Sequence, residues 1–233
     1  MSLGDGRIAG LEALVRWRHP TRGLIPPDQF IPLAEETGLI VPLGEFVLRR
    51  ACADAALWPS DLMVAVNLSP IQFKEAELFE MIGAALADSG LPPQRLEIEI
   101  TESVLLERGV ENHAFMERLK GIGIELALDD FGTGYSSLSY LTAFPFDKIK
   151  IDKSFIRNLT EQPRSSAIIS SIVTLARGLD MSVTAEGVET HEEFERLKAL
   201  GVNFAQGYLF GRPQPVDRIL FDAPAKSSRR DAA

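Results

Sequence analysis

Hydrophobic and polar positions along this chain follow two periods, one typical of strands and the other typical of helices. Seven short β-rich runs alternate with segments of helical periodicity, at a spacing of about 30 residues. The predicted strands are Ile8–Trp17, Leu62–Leu68, Arg95–Thr101, Ile124–Asp130, Asp147–Asp152, Met181–Glu186 and Val202–Tyr208. Such an alternation is typical of parallel βα units.

Two of the segments between these strands predict amphipathic helices. Their apolar residues recur at helical spacing at Ile40, Leu43, Val47, Ala51 and Ala55 and again at Ile168, Ile172, Leu175, Ala176 and Leu179. Ser69–Gln72 and Thr190–Glu193 both have the spacing of a capping box, which predicts a helix start at each of them.

Parallel βα units build either a closed barrel or an open, doubly wound sheet. A (β/α)8 barrel needs eight strands, one more than the pattern shows, and it places its chemistry at the carboxyl ends of those strands. An open sheet usually carries a glycine-rich phosphate turn after its first strand. Here Gly4-Asp5-Gly6 precedes the first strand, so the pattern favours the barrel.

Composition and charge exclude several classes of protein. The chain has 233 residues, of which 45% are hydrophobic and 24% charged, as in ordinary globular proteins. Its net charge of −9 argues against binding to polymeric nucleic acid, which needs clustered basic residues. The single cysteine, Cys52, excludes a disulfide framework and a cysteine metal cluster. No apolar run is long enough for a membrane helix and no secretory signal precedes the first strand, so we expect a cytoplasmic segment without membrane contact.

Each predicted strand carries a polar residue at or near its carboxyl end. In chain order these residues are Glu12, Asn67, Glu99, Asp129 with Asp130, Lys150 with Asp152, Glu186 and Gln206. One such residue alone is more often a turn former or a helix cap. In a barrel, however, all of them would converge on one small volume at its mouth.

The carboxylates of this set predict a site for two divalent cations. If the five acidic residues nearest the predicted mouth were all ionised, each close pair would repel by roughly 1–4 kcal/mol; they are Glu12, Glu99, Asp129, Asp130 and Glu186. Two divalent cations together with Lys150 would balance the negative charges. Carboxylate and amide oxygens are hard ligands, which suit Mg²⁺, Mn²⁺ or Ca²⁺. The three histidines, His19, His113 and His191, lie in loop or helix patterns, so zinc is disfavoured.

Two such cations can activate a water and stabilise both oxygens of an in-line displacement at phosphorus. Asp129 and Asp130 are adjacent, so one of them could bridge the ions, and Lys150 could orient the water or neutralise charge on the phosphate. Gly132 and Gly134 follow within a segment rich in hydroxyl residues, which could position ligands or close on a substrate. These residues alone leave open a divalent-dependent enzyme acting on enolates or aldols, with Lys150 as base or Schiff-base former.

Eight short motifs occur in order along the chain. They are Glu12-Ala13-Leu14 with Val15-Arg16-Trp17, Phe30-Ile31-Pro32-Leu33-Ala34-Glu35, Val66-Asn67-Leu68-Ser69, Glu99-Ile100-Thr101-Glu102, Asp129-Asp130-Phe131-Gly132-Thr133-Gly134, Lys148-Ile149-Lys150-Ile151-Asp152, Ala185-Glu186-Gly187-Val188-Glu189 and Gln206-Gly207-Tyr208. From residue 7 to about residue 221, this set resembles the EAL-domain cyclic di-GMP phosphodiesterases. The tripeptide alone is weak, whereas the whole set in this order is very specific.

The resemblance implies a hydrolase that opens one phosphodiester of cyclic di-GMP to give linear pGpG, with two Mg²⁺ or Mn²⁺ ions and with Ca²⁺ inhibitory. One ion would be held by Glu12, Asn67, Glu99 and Asp129. The second ion would be held by Asp129, Asp130 and Glu186. Lys150 would contact the hydrolytic water, and Gln206 would support the water network at the substrate. Leu14 and Arg16 would help to hold the dinucleotide. Glu102 would anchor the loop after Asp130, which contains Gly132 and Gly134. Asp152 and Glu189 would support the metal ligands.

The family pattern begins earlier than this chain, with a helix and a strand that carry an aromatic-Gln-Pro-type motif. The sequence therefore predicts an α/β, TIM-like (β/α)8 barrel that lacks its first helix and strand and occupies residues 4–222. Met1–Leu3 resemble residues left by a cloning vector, and residues 223–233 are predicted to form a disordered tail.

The resemblance also implies partners and leaves one alternative function. Family members are commonly homodimers and usually follow a sensor or diguanylate-cyclase domain, through which a protein can be tethered to a membrane. The alternative is a catalytically silent cyclic di-GMP receptor. Such receptors typically lose metal ligands or the loop after the aspartate pair, and this sequence has lost neither.

Overall fold

The boundary between the two structural units of this chain falls inside a strand. The computed structural model describes residues 1–59, 62–106, 109–132, 138–157, 159, 163–219 and 221. The first unit is Gly10–Ile149, and the second combines Met1–Ala9 with the chain from Lys150 onward. The predicted tail, residues 223–233, and residues 133–137 of the predicted loop lie outside the described residues.

The first unit contains parallel strands with helices between them. Its strands are β1 Gly10–Ala13, β2 Trp17–His19, β3 Gly23–Ile25, β4 Met63–Leu68, β5 Leu96–Thr101 and β6 Glu125–Phe131. Its helices are α1 Pro27–Thr37, α2 Ile40–Ala55, α3 Leu78–Ser89, α4 Glu102–Leu106, α5 Gly109–Gly121 and α6 Leu138–Ala143. The order β1-β4-β5-β6 is parallel throughout and leads to β7, Lys148–Ile151, while β2 and β3 form a separate antiparallel hairpin.

The second unit continues the alternation of strand and helix from β7. Its further elements are α7 Lys153–Ile156, α8 Pro163–Gly178, β8 Ser182–Ala185, α9 His191–Ala199 and β9 Phe204–Ala205. The strand order is β7-β8-β9, and β8 and β9 are parallel. Within the described ranges, no helix combines the length and the hydropathy that a membrane crossing requires.

Successive side chains of β5 point alternately to the two faces of the sheet. Leu96, Ile98 and Ile100 point to one face and are fully buried, and each contributes about 1.5–3 kcal/mol by burial. Glu97 and Glu99 point to the opposite face and are also buried. The same strand therefore supplies the apolar core and brings two carboxylates into the interior.

Apolar stripes on the helices cover the sheet as the sequence predicts. In the first unit α2 contacts β4, and its predicted core residues Ile40, Ala51 and Ala55 are buried. In α8 one predicted core position is wrong, because Ile168 is 43% exposed whereas Ile169 is fully buried. Helical spacing is tolerant by one residue, so the pattern alone does not choose between two adjacent isoleucines.

Each of the seven predicted strands is confirmed, and the first and the last of them are much shorter than expected. The first was predicted to run from Ile8 to Trp17, but β1 ends at Ala13 and Trp17 begins the hairpin. The β-rich composition there continues through two strands of different sheets. The last strand was predicted to reach Tyr208, but β9 ends at Ala205 because a turn at Gly207 follows.

The two predicted capping boxes have different outcomes. Thr190 forms a complete capping box with Glu193 at the start of α9, which confirms that prediction. Ser69 and Gln72 instead lie in a tight turn, and Gln72 begins only a short 3-10 helix that ends at Lys74. That turn connects directly to the end of β4.

The first three residues of the chain pair with β9. The Met1 terminal nitrogen donates to the Ala205 carbonyl oxygen at 2.9 Å, and the Leu3 amide donates to the Asn203 carbonyl oxygen at 2.9 Å. Leu3 is only 2% exposed. Met1–Leu3 thus run antiparallel to β9 and satisfy its backbone groups, as a strand edge requires.

A partly buried set of charges lies at the amino ends of β5, β6 and β7. Lys148 forms an ion pair with Glu97, and Lys120 forms one with Asp147. Glu125 is the register partner of Glu97 on the neighbouring strand. Partial burial raises the pKa of Glu125; Lys148 opposes this shift, and the carboxylates of Glu97 and Asp147 add to it.

Replacing Glu125 by glutamine is expected to raise the melting temperature near neutral pH. Because the pKa of Glu125 is higher in the folded state than its ordinary value of 4.5, the folded protein binds more protons above about pH 4.5. The free energy of unfolding therefore falls as the pH rises from about 4.5 through the raised pKa of the folded state. Glu125→Gln removes this loss of stability because glutamine does not ionise. Thermal denaturation of both proteins at about pH 7.5 and pH 4 checks it, since the advantage must shrink at the lower pH. A variant that is less stable at neutral pH would contradict the expectation.

Candidate active site

Five of the predicted site residues lie at the carboxyl ends of strands in the first unit. Glu12 is on β1, Asn67 on β4, Glu99 on β5, and Asp129 and Asp130 on β6. The Asn67 side-chain nitrogen donates to Glu12 Oε1 at 2.7 Å, and Asn67 is the register partner of Glu99. The parallel register brings residues that are far apart in sequence to the same edge of the sheet.

The chemistry of this donor set fits a hard divalent cation. Glu99 and Asp129 are 2% and 8% exposed, and buried carboxylates require compensating positive charge or hydrogen bonds. Glu12 is half-buried and Asn67 is exposed, so the set reaches from the interior to solvent. Carboxylate and amide oxygens are the ligands that Mg²⁺ and Mn²⁺ prefer.

Asp130 has an unusual backbone conformation. Its φ is 52°, in the left-handed region that only glycine adopts freely and that aspartate tolerates better than most residues. Its amide donates to Asp129 Oδ1 at 2.9 Å, and its side chain is exposed. Left-handed residues that are not glycine concentrate at functional sites, where the surrounding structure imposes them. A carboxylate oxygen of Asp129 and one of Asp130 lie within 4.8 Å of each other, so the two adjacent side chains can face one metal ion.

The loop after Asp130 is attached to the end of β5 by Glu102. The Gly132 amide donates to Glu102 Oε1 at 3.2 Å, and the φ of Gly132 is 99°. This contact agrees with the anchoring role that the resemblance implies for Glu102. Gly134, the other glycine of the predicted loop, lies outside the described residues.

The predicted site residues of the second unit include a buried ion pair. Lys150 on β7 is 2% exposed, and its Nζ lies 2.7 Å from Glu186 Oε1. Glu186 directly follows β8, and its amide donates to the Ile151 carbonyl oxygen at 3.0 Å. A buried ammonium group is tolerated when a carboxylate pairs with it. The pair fixes the position of both side chains.

Gln206 directly follows β9, and its backbone is held on two sides. Its amide donates to the Ala185 carbonyl oxygen at 2.8 Å, and its carbonyl oxygen accepts from the Val188 amide at 3.0 Å. The neighbouring Gly207 lies so close to Val188 that an added Cβ would be 2.3 Å from the Val188 nitrogen. Glycine is therefore required beside Gln206.

Gly187 has a similar requirement, which sequence reasoning missed. Its φ is 69°, and an added Cβ would lie 2.4 Å from Cβ of Lys153. Gly187 and Gly207 hold the chain where Glu186 and Gln206 emerge from their strands. Their position directly after a predicted site residue is the signal that identifies them.

The structure gives Asp152 and Glu189 local roles. Asp152 caps α7 by accepting from the Ser154 amide at 2.9 Å. Partial burial acts to raise the pKa of Asp152, but hydrogen bonds from Ser154 outweigh it and hold this pKa below the ordinary value. Glu189 is exposed, and its amide donates to Glu193 Oε2 at 2.8 Å in the turn before α9.

Leu14 and Arg16, the predicted substrate contacts, lie exposed in the segment between β1 and the hairpin. The Arg16 guanidinium donates to the Val15 carbonyl oxygen at 2.8 Å and keeps its remaining donors toward solvent. The histidines lie elsewhere, with His19 in β2, His113 in α5 and His191 at the start of α9.

The fold and these residues define a parallel α/β protein with oxygen donors suited to divalent cations at its strand ends. More specifically, the chain belongs to the EAL domain family, whose family model matches residues 1–213. The bifunctional diguanylate cyclase/cyclic di-GMP phosphodiesterase MucR of Pseudomonas aeruginosa is 46% identical over 220 residues, which are 93% of this chain and 32% of that protein. The chain thus spans about a third of the length of this relative.

Solved structures share the fold. The PaMucR phosphodiesterase in its c-di-GMP complex has a TM-score of 0.87 and 46% identity, covering 91% of this chain and 87% of that chain. The calcium/c-di-GMP complex of BlrP1 from Klebsiella pneumoniae has a TM-score of 0.80 and 33% identity, covering 91% of this chain and 53% of that chain. The predicted family and TIM-like fold are confirmed, and the chain is homologous to cyclic di-GMP phosphodiesterases.

Proposed function

We propose that this chain is a metal-dependent phosphodiesterase that hydrolyses cyclic di-GMP to linear pGpG and so lowers this second messenger in bacterial signalling. The observation that carries the proposal is the complete set of oxygen donors at the strand ends of an EAL domain. A receptor that only binds the dinucleotide has no need of five carboxylates and a buried lysine there.

The proposed cofactors are two Mg²⁺ or Mn²⁺ ions. One would be bound by Glu12, Asn67, Glu99 and Asp129. The other would be bound by Asp129, Asp130 and Glu186. When bound, such ions supply Lewis-acid activation of a water and stabilise charge on the phosphate. We expect Ca²⁺ to inhibit, because it is larger and accepts more ligands in a looser geometry.

In the proposed reaction Lys150 donates a hydrogen bond from its ammonium group to the attacking water, and Gln206 supports the hydrogen bonds around that water. Glu186 holds the ammonium group in place across 2.7 Å. A nearby carboxylate favours the charged form of a lysine, and an ammonium group is a poor Schiff-base nucleophile. The pairing therefore favours phosphodiester hydrolysis over the carbonyl chemistry that the residues alone left open.

Substrate binding is assigned to Leu14 and Arg16. The planar guanidinium of Arg16 can form two parallel hydrogen bonds with a phosphate. Leu14 is 40% exposed and offers an apolar surface to a base or a ribose. Both follow β1 directly, which places them next to Glu12 in the chain.

The partners of the full-length protein are proposals as well. We propose a homodimer, and an upstream sensor or diguanylate-cyclase domain that controls the phosphodiesterase. The share of MucR that lies outside the matched segment supports additional domains. We propose residues 4–222 as the extent of the phosphodiesterase domain.

Chromatography of cyclic di-GMP reactions with Mg²⁺, Mn²⁺, Ca²⁺ or EDTA tests the proposed function. We expect pGpG with Mg²⁺ or Mn²⁺ and no product with Ca²⁺ or EDTA. The same assay on a longer chain, extended at its amino terminus, serves as a control. Binding of cyclic di-GMP by that folded, longer chain without turnover in any metal would favour the receptor.

A further inference from the structure

The turn that follows Asn67 is held by an unusually complete set of hydrogen bonds. The Ser69 hydroxyl donates to Glu35 Oε1 at 2.6 Å and accepts from the Ile71 amide at 3.3 Å. The Ser69 amide donates to Gln72 Oε1 at 3.1 Å, and the Ser69 carbonyl oxygen accepts from the Gln72 amide at 3.0 Å. All three polar groups of Ser69 are therefore used.

Helix α2 is shaped to receive the side chain of this turn. Gln72 is 2% exposed, and its amide group lies against Gly44 in the second turn of α2. A Cβ added to Gly44 would lie 2.0 Å from Gln72 Nε2. Glycine inside a helix is unfavourable, so its presence here is explained by the close approach of Gln72. Glu35 ties the same turn to α1.

The turn is connected to the candidate metal ligands by a short stretch of chain. Only Leu68, which is buried, separates Ser69 from Asn67. Asn67 then donates to Glu12 at 2.7 Å and aligns with Glu99 on the neighbouring strand. The direction of the Asn67 side chain is thus set by β4 on one side and by the Ser69 turn on the other.

We propose that Glu35 is a positioning residue, which acts through Ser69 and Gln72 to hold Asn67 in the orientation that binds the first metal ion. The inference rests on the proposed function, because it assumes that Asn67 is a metal ligand. The contact to Ser69 requires an acceptor oxygen at Glu35 and does not require its charge. Residues that orient metal ligands typically change metal affinity by about 10–100-fold when they are lost.

Calorimetric titration with Mn²⁺ alone, without substrate, tests the proposal on five proteins. Glu35→Ala and Ser69→Ala should each weaken Mn²⁺ binding by about tenfold relative to the wild type. Glu35→Gln keeps the acceptor oxygen and should restore most of the affinity. Glu36→Ala, which changes the neighbouring exposed carboxylate of α1, is the matched control and should bind as the wild type does.

A double-mutant cycle separates positioning from a general loss of structure. If Glu35 acts through Asn67, then adding Glu35→Ala to Asn67→Ala should cause no further loss of Mn²⁺ affinity. A further tenfold loss in the double variant would overturn the proposal. Should Glu35→Ala fail to fold, Ser69→Ala takes its place in the cycle with Asn67→Ala.

Mn²⁺ binding and pGpG production together distinguish a failure of this inference from a failure of the proposed function. A wild-type protein that binds no Mn²⁺ would overturn both. A wild-type protein that binds Mn²⁺ and produces pGpG, with Glu35→Ala indistinguishable from Glu36→Ala, would overturn only the role of Glu35.

Discussion

Replacing Glu12 by alanine is expected to abolish metal-dependent hydrolysis of cyclic di-GMP while leaving the fold intact. The loss of a proposed metal ligand should lower kcat/KM by more than the roughly 10–100-fold typical of residues that only orient ligands. The structural cost is small because Glu12 is half-buried and Asn67, which donates to it, is exposed. One lost hydrogen bond of this kind costs about 0.5–1.5 kcal/mol.

The conservative variant Glu12→Gln sharpens this experiment. Glutamine keeps an acceptor oxygen for Asn67 but removes the negative charge, so the structure is retained while metal binding is weakened. We expect Glu12→Gln to be nearly as inactive as Glu12→Ala, with a melting temperature closer to the wild type. The exposed control Glu36→Ala should keep full activity.

Cys52 offers a simple check that the Glu12 variants are folded. It is the only cysteine of the chain and is fully buried in α2, and burial raises the pKa of its thiol to about 11. A thiol reagent should therefore react slowly with each variant until a denaturant is added. Turnover by a protected, folded Glu12→Ala at the wild-type rate would refute the assignment of Glu12 as a metal ligand.

The strands could be predicted because local alternation determines them. Along β5 the apolar residues Leu96, Ile98 and Ile100 alternate with Glu97 and Glu99, and this pattern is visible without any structure. The end of β1 could not be predicted in this way. The residues from Leu14 to Trp17 remain β-rich, but Leu14–Arg16 lie in no strand, and only the pairing with Ile25 assigns Trp17 to a different sheet.

The rule that a barrel gathers its chemistry at the carboxyl ends of its strands predicted the first-unit residues. Their placement on the strands is confirmed, because each residue is fixed by its own strand, as Asn67 is opposite Glu99, and their roles stay predictions. The rule says nothing about pairs formed between side chains. Lys150 lies on β7 and Glu186 follows β8, and no sequence pattern indicates that these two side chains form a contact of 2.7 Å.

Contacts between distant turns and helices were also beyond sequence reasoning. Ser69 and Gln72 have the spacing of a capping box, but their turn uses Glu35, which is 34 residues away, as a third partner. Gly44 has no local reason to interrupt α2, and only the packing of Gln72 explains it. Such residues are found by asking which buried polar groups need partners.

Replacing Lys150 by methionine is expected to lower kcat by about 100-fold or more while changing KM little. Methionine fills a similar volume but cannot donate a hydrogen bond to the attacking water. The substitution also leaves Glu186 without its ammonium partner. Breaking a fully buried pair costs roughly 3–5 kcal/mol, and the 21% exposure of the Glu186 side chain reduces that cost through hydration.

The neighbouring lysine provides a matched control for this loss of stability. Lys148 lies two residues earlier on β7, points to the same face and forms an ion pair with Glu97. Lys148→Met should therefore destabilise the protein to a similar degree without removing a group from the reaction. Measurement of kcat, KM and melting temperature for both variants separates chemistry from stability.

The comparison of the two lysines decides what the charge of Lys150 does. If only Lys150→Met loses kcat, the ammonium group acts on the reacting atoms, because both variants break a buried ion pair on the same strand. If both lose kcat equally, the geometry of β7 limits the rate and Lys150 has no separate chemical role. An effect of Lys150→Met confined to KM would instead assign Lys150 to substrate binding.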